Sequence, residues 1–246
     1  MALDIYVGTL SRYYARDWQT PGERAAAELG IAHETVFEHP PEEGVTDPAE
    51  IRSAVLAWRQ ALAEELGVVL DWSERDDAPW FSERPAWDGW TALLLHAAYE
   101  ERPELERPAA VADDALDRDP AWLAVTGQRR GLRRFFGRKD DTPSETRYDV
   151  LYYPELWLPG VSSVVYAVLD TAGNEIALGG VEALLAALED LNERTFALGE
   201  PEIDHHRRNA EDVDALFEAK ARWGLGTALW CAARAAEHRL PMKLDY

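Results

Sequence analysis

A chain of 246 residues is long enough to bury a sizeable core. It carries 25 Lys+Arg against 46 Asp+Glu, a net charge of −21. That field repels nucleic acid and anionic membrane surfaces and draws in basic partners. The single cysteine, Cys231, excludes an internal disulfide framework and a Cys-based zinc site.

In chain order, residues 2–10 alternate Leu3, Ile5 and Val7 with Asp4 and Tyr6, which predicts a strand. The opening Met1-x-Leu3-Asp4-Ile5-Tyr6-Val7-Gly8-x-Leu10-x-Arg12-Tyr13-Tyr14 and the closing Leu240-Pro241-Met242-Lys243-Leu244-Asp245-Tyr246 resemble the two ends of an uncharacterised family of bacterial proteins. The resemblance is confined to these ends, and it implies no activity and no site residue.

A short helix is expected over 21–30 and a second strand over 31–37. His33, Glu34, Glu38 and His39 cluster in sequence. On one strand face, however, His33 and His39 would stand about 20 Å apart, too far to share an ion. Asp47-Pro48-Ala49-Glu50 is a helix start, with an N-cap, proline at the first position and an acid in the first turn. The helix runs to Leu66, stops at Gly67, and buries Ile51, Val55, Trp58, Leu62 and Leu66.

Residues 71–90 hold Trp72, Trp80, Phe81, Trp87 and Trp90, broken by Pro79 and Pro85 and mixed with Asp71, Glu74, Asp76, Asp77, Glu83 and Asp88. Aromatics among carboxylates in a broken loop either cover a core or wall a pocket for a cationic group or a sugar. We take Trp72, Asp76, Asp77, Trp80 and Trp87 as binding candidates. Asp88 is read as the cap of a helix over 89–101, with His96 on its apolar face as a core histidine. Charged, proline-punctuated residues follow to Asp119, and Pro120 opens a short helix. The span 102–147 reads as a surface insertion.

Residues 128–139 reverse the overall sign with Arg129, Arg130, Arg133, Arg134, Arg138 and Lys139. At helical spacing Arg130 and Arg134 stack, and they join the binding candidates for a carboxylate or phosphate. The segment also offers a self-association contact. Residues 140–147 are expected to be a loop. A weak strand is expected over 148–157. A hairpin is expected from 164–169 and 175–178 around Asp170-Thr-Ala-Gly-Asn. A helix is expected over 181–194, and a polar loop over 200–208. Within that loop, Asp204, His205 and His206 are the weak candidates for metal ligands. No further ligand stands at helical spacing, so no metal is expected.

The last helix is predicted over 212–239, acidic at its start, basic at its end and stopped by Pro241. Residues 224–233 carry no charge, so this part should be buried on most sides. Gly224 and Gly226 each cost about 1 kcal/mol of helix stability against alanine. Close approach by another element between Trp223 and Trp230 would compensate.

The expected fold is α+β: a helix-dominated single domain over 1–246 with a small antiparallel sheet packed against the long C-terminal helix. No twenty-residue apolar run and no basic, apolar leader appears, so a cytoplasmic protein is expected. No nucleophile elbow, Walker loop, dinucleotide fingerprint or zinc motif occurs, and no cofactor is expected.

The leading functional expectation is an acidic binding protein for a basic protein partner, such as an inhibitor of the immunity or antitoxin type. One rival is a small-molecule binder or hydrolase with its pocket between 71–90 and the last helix, using Asp76, Asp77, His96, Asp204 and His205. Another is a structural homo-oligomer docked through 128–139.

Overall fold

Alternation at the start of the chain forms β1 (Asp4–Val7), with Asp4 and Tyr6 on one side and Ile5 and Val7 on the other. The computed structural model describes residues 3–32, 47–112, 114–127, 146–211 and 214–246. Of the strand expected over 31–37, Ile31 and Ala32 are not in a strand and the rest lies outside the described residues, as do His33, His39 and the whole basic segment with Arg130 and Arg134.

Helix α1 (Leu10–Tyr14) follows at once, with the Thr9 side chain accepting from the Arg12 N–H. Helix α2 (Pro21–Leu29) opens on a capping box between Thr20 and Glu23. Helix α3 (Pro48–Leu66) starts where predicted, with Asp47 accepting from the Ala49 N–H. It ends at Gly67 in the left-handed conformation at φ 67°, which glycine adopts without strain.

Next come β2 (Phe81–Glu83), α4 (Ala86–Glu101), α5 (Ala115–Arg118), α6 (Pro120–Thr126) and α7 (Asp149–Tyr152). The chain then runs through β3 (Leu156–Leu158), β4 (Tyr166–Leu169), β5 (Glu175–Gly180), α8 (Val181–Arg194), α9 (Glu200–Arg208), α10 (Phe217–His238) and β6 (Met242–Asp245).

The six strands form one sheet in the order β2-β1-β6-β3-β5-β4. β6 is the joint, pairing with β1 on one side and β3 on the other. Helices cover both faces. Ile5, Val7, Met242, Leu244 and Trp157 point toward α4, α8 and α10 and share the larger apolar core with them. Leu156, Leu158, Ile176, Leu178 and Val168 point the other way and meet Leu10 of α1, Val55 and Leu62 of α3, and Trp72. The fold is thus α+β and helix-dominated, as expected.

Helix α10 packs against α4, α8 and α9 and is buried along most of its length, with Trp223 4% exposed. A Cβ placed on Gly224 would stand 2.0 Å from the Gly89 carbonyl oxygen of α4. Gly89 in turn faces the Trp223 ring. The two helices therefore cross with their backbones in contact, and the pair Gly89 and Gly224 is what lets them. Gly226 makes a looser approach to α9, where an added Cβ would lie 3.0 Å from the His206 Cβ.

The structure corrects several expectations. The sheet is mixed: β3 and β5 run parallel. The hairpin of β4 and β5 forms as predicted, but its second strand folds back between β3 and β4, so the chain arrives beside β3 in the same direction. The expected strand over 148–157 divides at Pro154 into α7 and β3. The expected polar loop at 200–208 is α9, whose start is signalled by Pro201 in the first turn and by Glu202 accepting from the Gly199 N–H at 2.8 Å.

Asp88 does not cap α4. The helix begins earlier, and the Asp88 carboxylate takes a hydrogen bond from Lys220 of α10. α10 itself begins at Phe217 rather than 212, because the Phe217 N–H is committed to the Ala109 carbonyl at 3.0 Å. No described helix is long and apolar enough to cross a membrane.

Candidate functional site

The larger of the two concavities described has a volume of about 270 Å³ and lies beside the first turns of α4. Trp87, Asp88 and Thr91 supply one wall. Asp88 and Thr91 lie one and four positions after Trp87, which places all three on adjoining positions of a single helix face. Val111, Ala112, Asp114, Leu116 and Asp117 supply the other. This second wall is held in place by its neighbours. Ala115 is buried in the core, the Tyr99 hydroxyl donates to Asp119 at 2.8 Å, and Ala109 ties the preceding segment to the start of α10.

The wall chemistry is mixed. Trp87 rests edge-on against Tyr246 with ring centroids 5.4 Å apart, yet its side chain remains 37% exposed. Lys220 is buried beneath the site and its ammonium donates to Asp88 at 2.6 Å. Arg118 pairs with Asp114 at 2.8 Å across one helical turn. Asp117 is exposed and makes no ion pair among the described residues. An exposed aromatic face, carboxylates around it and apolar Val111 and Leu116 nearby suit a cation carried on a short apolar stem. A second concavity of about 170 Å³ shares Ala112 and Asp114 with the first and is otherwise lined by residues such as Leu95, Pro108 and Arg118.

A separate polar cluster lies between α1 and the sheet, where the residues of the two end motifs meet. Arg84 grips the Asp4 carboxylate with two hydrogen bonds, of 2.6 and 2.9 Å. Asp245 accepts from the Tyr13 hydroxyl at 2.7 Å and from Arg16 at 3.0 Å. Burial pushes the Tyr13 hydroxyl well above its usual range, and the adjacent Asp245 charge adds to the shift. The Lys243 ammonium stands 5.4 Å from the Tyr13 ring centre. Burial lowers its pKa, against the opposing charges of Glu155, Asp170 and Asp245.

Glu74 completes the frame. Its carboxylate accepts from the Leu10 and Ser11 N–H groups at 3.1 and 2.9 Å and also from the Trp72 indole. Asp4, Asp245 and Glu74 are therefore fully engaged with protein partners, and we read this cluster as the fastening of α1 to the sheet.

The binding candidates from 71–90 are dispersed. Trp72 is 1% exposed and belongs to the core under α3. Trp80 is half-buried against the cluster of Tyr6, Tyr13 and Trp18. Asp76 pairs with Arg52 and Asp77 with Arg75, all at the surface. Only Trp87 reaches the pocket.

The groups considered for an enzyme also have separate neighbours. His96 is fully buried, stacked on Phe196 with centroids 4.4 Å apart, and neither ring nitrogen has a hydrogen-bond partner among the described residues. Asp204 is held by Arg207 and Arg208. Arg207 also bonds Glu83 and lies over the Trp230 ring. His205 is exposed, and burial depresses the pKa of His206. Among the described residues no group of three or more His, Cys, Asp or Glu is placed to hold a metal. The Cys231 thiol is fully buried, which raises its pKa well above the usual value.

The sequence reading missed Asp114 and Asp117 because it took the acidic stretch before Pro120 for a linker, and it passed over Thr91 within the predicted helix. The usable signal was the presence of apolar Val111 and Leu116 among the aspartates of that stretch. No family model matches the chain, and neither does any curated protein or solved structure.

Proposed function

We propose that the chain is a binding protein for a basic protein partner, and that the pocket at Trp87 receives a cationic side chain of that partner. The observation that carries this reading is the pocket itself, with an exposed indole face ringed by Asp88, Asp114 and Asp117. Its volume of about 270 Å³ falls just below the roughly 300–1,000 Å³ of ordinary small-molecule pockets, so a single side chain fits better than a larger ligand. The net charge of −21 adds a long-range pull on a basic surface. An inhibitor of the immunity or antitoxin type is one concrete form of such a protein.

The test uses an arginine-rich peptide and its citrulline counterpart, which keeps the shape and removes the charge. Association with the arginine peptide should slow by about tenfold or more between low salt and several hundred millimolar, as charge steering is screened. Trp87→Ala should speed dissociation while lowering the melting temperature by only about 2–6 °C, since the ring packs on Tyr246 but is partly exposed. Equal binding of the citrulline peptide, or rates indifferent to salt, would remove the reading.

A further inference from the structure

Three carboxylates line the pocket among the described residues, but two of them are already neutralised. Asp88 holds the buried ammonium of Lys220, and Asp114 holds Arg118. Among the described residues, what remains is one exposed negative charge, on Asp117, in the same pocket as the partly exposed Trp87. We infer that the pocket selects a single monovalent organic cation, an arginine side chain stacked on Trp87 with its guanidinium turned to Asp117. This rests on the binding role proposed above and specifies its ligand.

The physical argument is one of charge and shape. A divalent metal ion requires six or more oxygen ligands, with several formal charges among them. One uncompensated carboxylate does not supply that. A planar guanidinium, by contrast, is weakly hydrated, stacks on an aromatic face and offers a fork of donors to one carboxylate. Val111 and Leu116 give its aliphatic stem an apolar surface, and the Thr91 hydroxyl is a further acceptor on the opposite wall.

Arg118 then acts as a specificity-determining residue. Its side chain is 79% exposed, so it contributes little to packing, yet it cancels the charge of Asp114. Its removal should leave two uncompensated carboxylates in the pocket and tighten the hold on a cation.

The experiment is an NMR titration of the full chain with N-acetyl-arginine amide, following the Trp87 indole N–H assigned through Trp87→Phe. Acetyl-citrulline amide, acetyl-lysine amide and magnesium ion serve as comparisons. Arginine should move the Trp87 signal saturably, with a dissociation constant of order millimolar, as fits one exposed ion pair and one stacking contact. Lysine amide should bind more weakly, and citrulline and magnesium should leave the signal in place.

Asp117→Asn should weaken arginine by roughly fivefold, and Arg118→Ala should tighten it by a similar factor. Neither change should alter the rest of the spectrum. An unmoved Trp87 signal, an unchanged constant in Asp117→Asn, or magnesium competing with arginine would overturn the inference. If the arginine-rich peptide still binds in a salt-dependent way, the pocket's role falls and only the capture of a basic partner by the net charge stands. If the peptide does not bind either, both fall together.

Discussion

Gly224→Ala is expected to destabilise the protein by about 3 kcal/mol, or roughly 6–12 °C in melting temperature for a chain of this size. In an isolated helix the same change would help, by about 1 kcal/mol. Packing reverses the sign. The new methyl would stand 2.0 Å from the Gly89 carbonyl oxygen and 2.7 Å from its carbon, both backbone atoms that cannot rotate away. α4 and α10 would have to separate, and the core they share with Ile5, Val7 and Trp157 would loosen.

Gly226→Ala, half a turn further along the same helix, supplies the control. There the nearest atom is the His206 Cβ at 3.0 Å, on a helix whose residues include none that is buried. That helix can give by a few tenths of an ångström, so the change should stay within about 1 kcal/mol of wild type. Thermal melts of the two variants decide the matter. Equal melting temperatures would show that the crossing of α4 and α10 is not set by these glycines.

The second large effect concerns acid. His96 is fully buried, and its pKa is pushed down from 6.5 to about 3. Burial is the main cause, and the positive charges of Arg107 and Arg222 add to it. The rings of Phe196 and Phe217 also face it, and both of its nitrogens lack a partner among the described residues. The folded state therefore resists a proton that the unfolded chain accepts. Stability is intact above the unfolded pKa of about 6.5 and declines as pH falls below it, by about 1.4 kcal/mol per pH unit until the folded pKa is reached.

At pH 5 this amounts to roughly 2 kcal/mol from one side chain. His96→Leu, close in volume and without the polar nitrogens, should be near neutral at pH 7.5 and should gain relative to wild type by that amount at pH 5. Chemical denaturation of both proteins at the two pH values gives the comparison. The difference between them is the quantity to read, because protonating many carboxylates in a chain of net charge −21 relieves repulsion in both alike. Parallel pH profiles would show that His96 is protonated in the fold after all.

What could be read in advance follows how local the determining forces are. α3 and α8 appear with the bounds the sequence suggested: α3 has its Asp47 cap and terminal Gly67, and both helices carry a steady apolar stripe, signals that act within a turn or two. The hairpin of β4 and β5 was legible for the same reason. Asp170 accepts from the Ala172 and Asn174 N–H groups, and Gly173 takes φ 87°.

α9 was not legible from periodicity, because it buries no residue fully and has no apolar stripe to show. Its Pro-Glu opening was the better guide. The start of α4 was misplaced because Asp88, a natural cap by type, is claimed by Lys220 from a distant part of the chain. The pocket was half legible. Trp87 stood among the candidates and lines it, but its second wall comes from Val111, Ala112, Asp114, Leu116 and Asp117, brought there only by tertiary packing. Of the ten tryptophans in the chain, only Trp87 lines this pocket; aromatic content alone did not say which one would.

The position of β6 has a consequence for how the molecule assembles. The sheet consists of two halves, β2 with β1 and β3 with β5 and β4, and among its strands β6 alone bonds to both. During synthesis each half can gather locally, but they cannot be joined until residues 242–245 have left the ribosome. The closing step brings Asp4 beside Asp245, a contact between residues very far apart in sequence. Such distant closure is entropically slow, so the nascent chain passes through a period with two unsealed strand edges exposed.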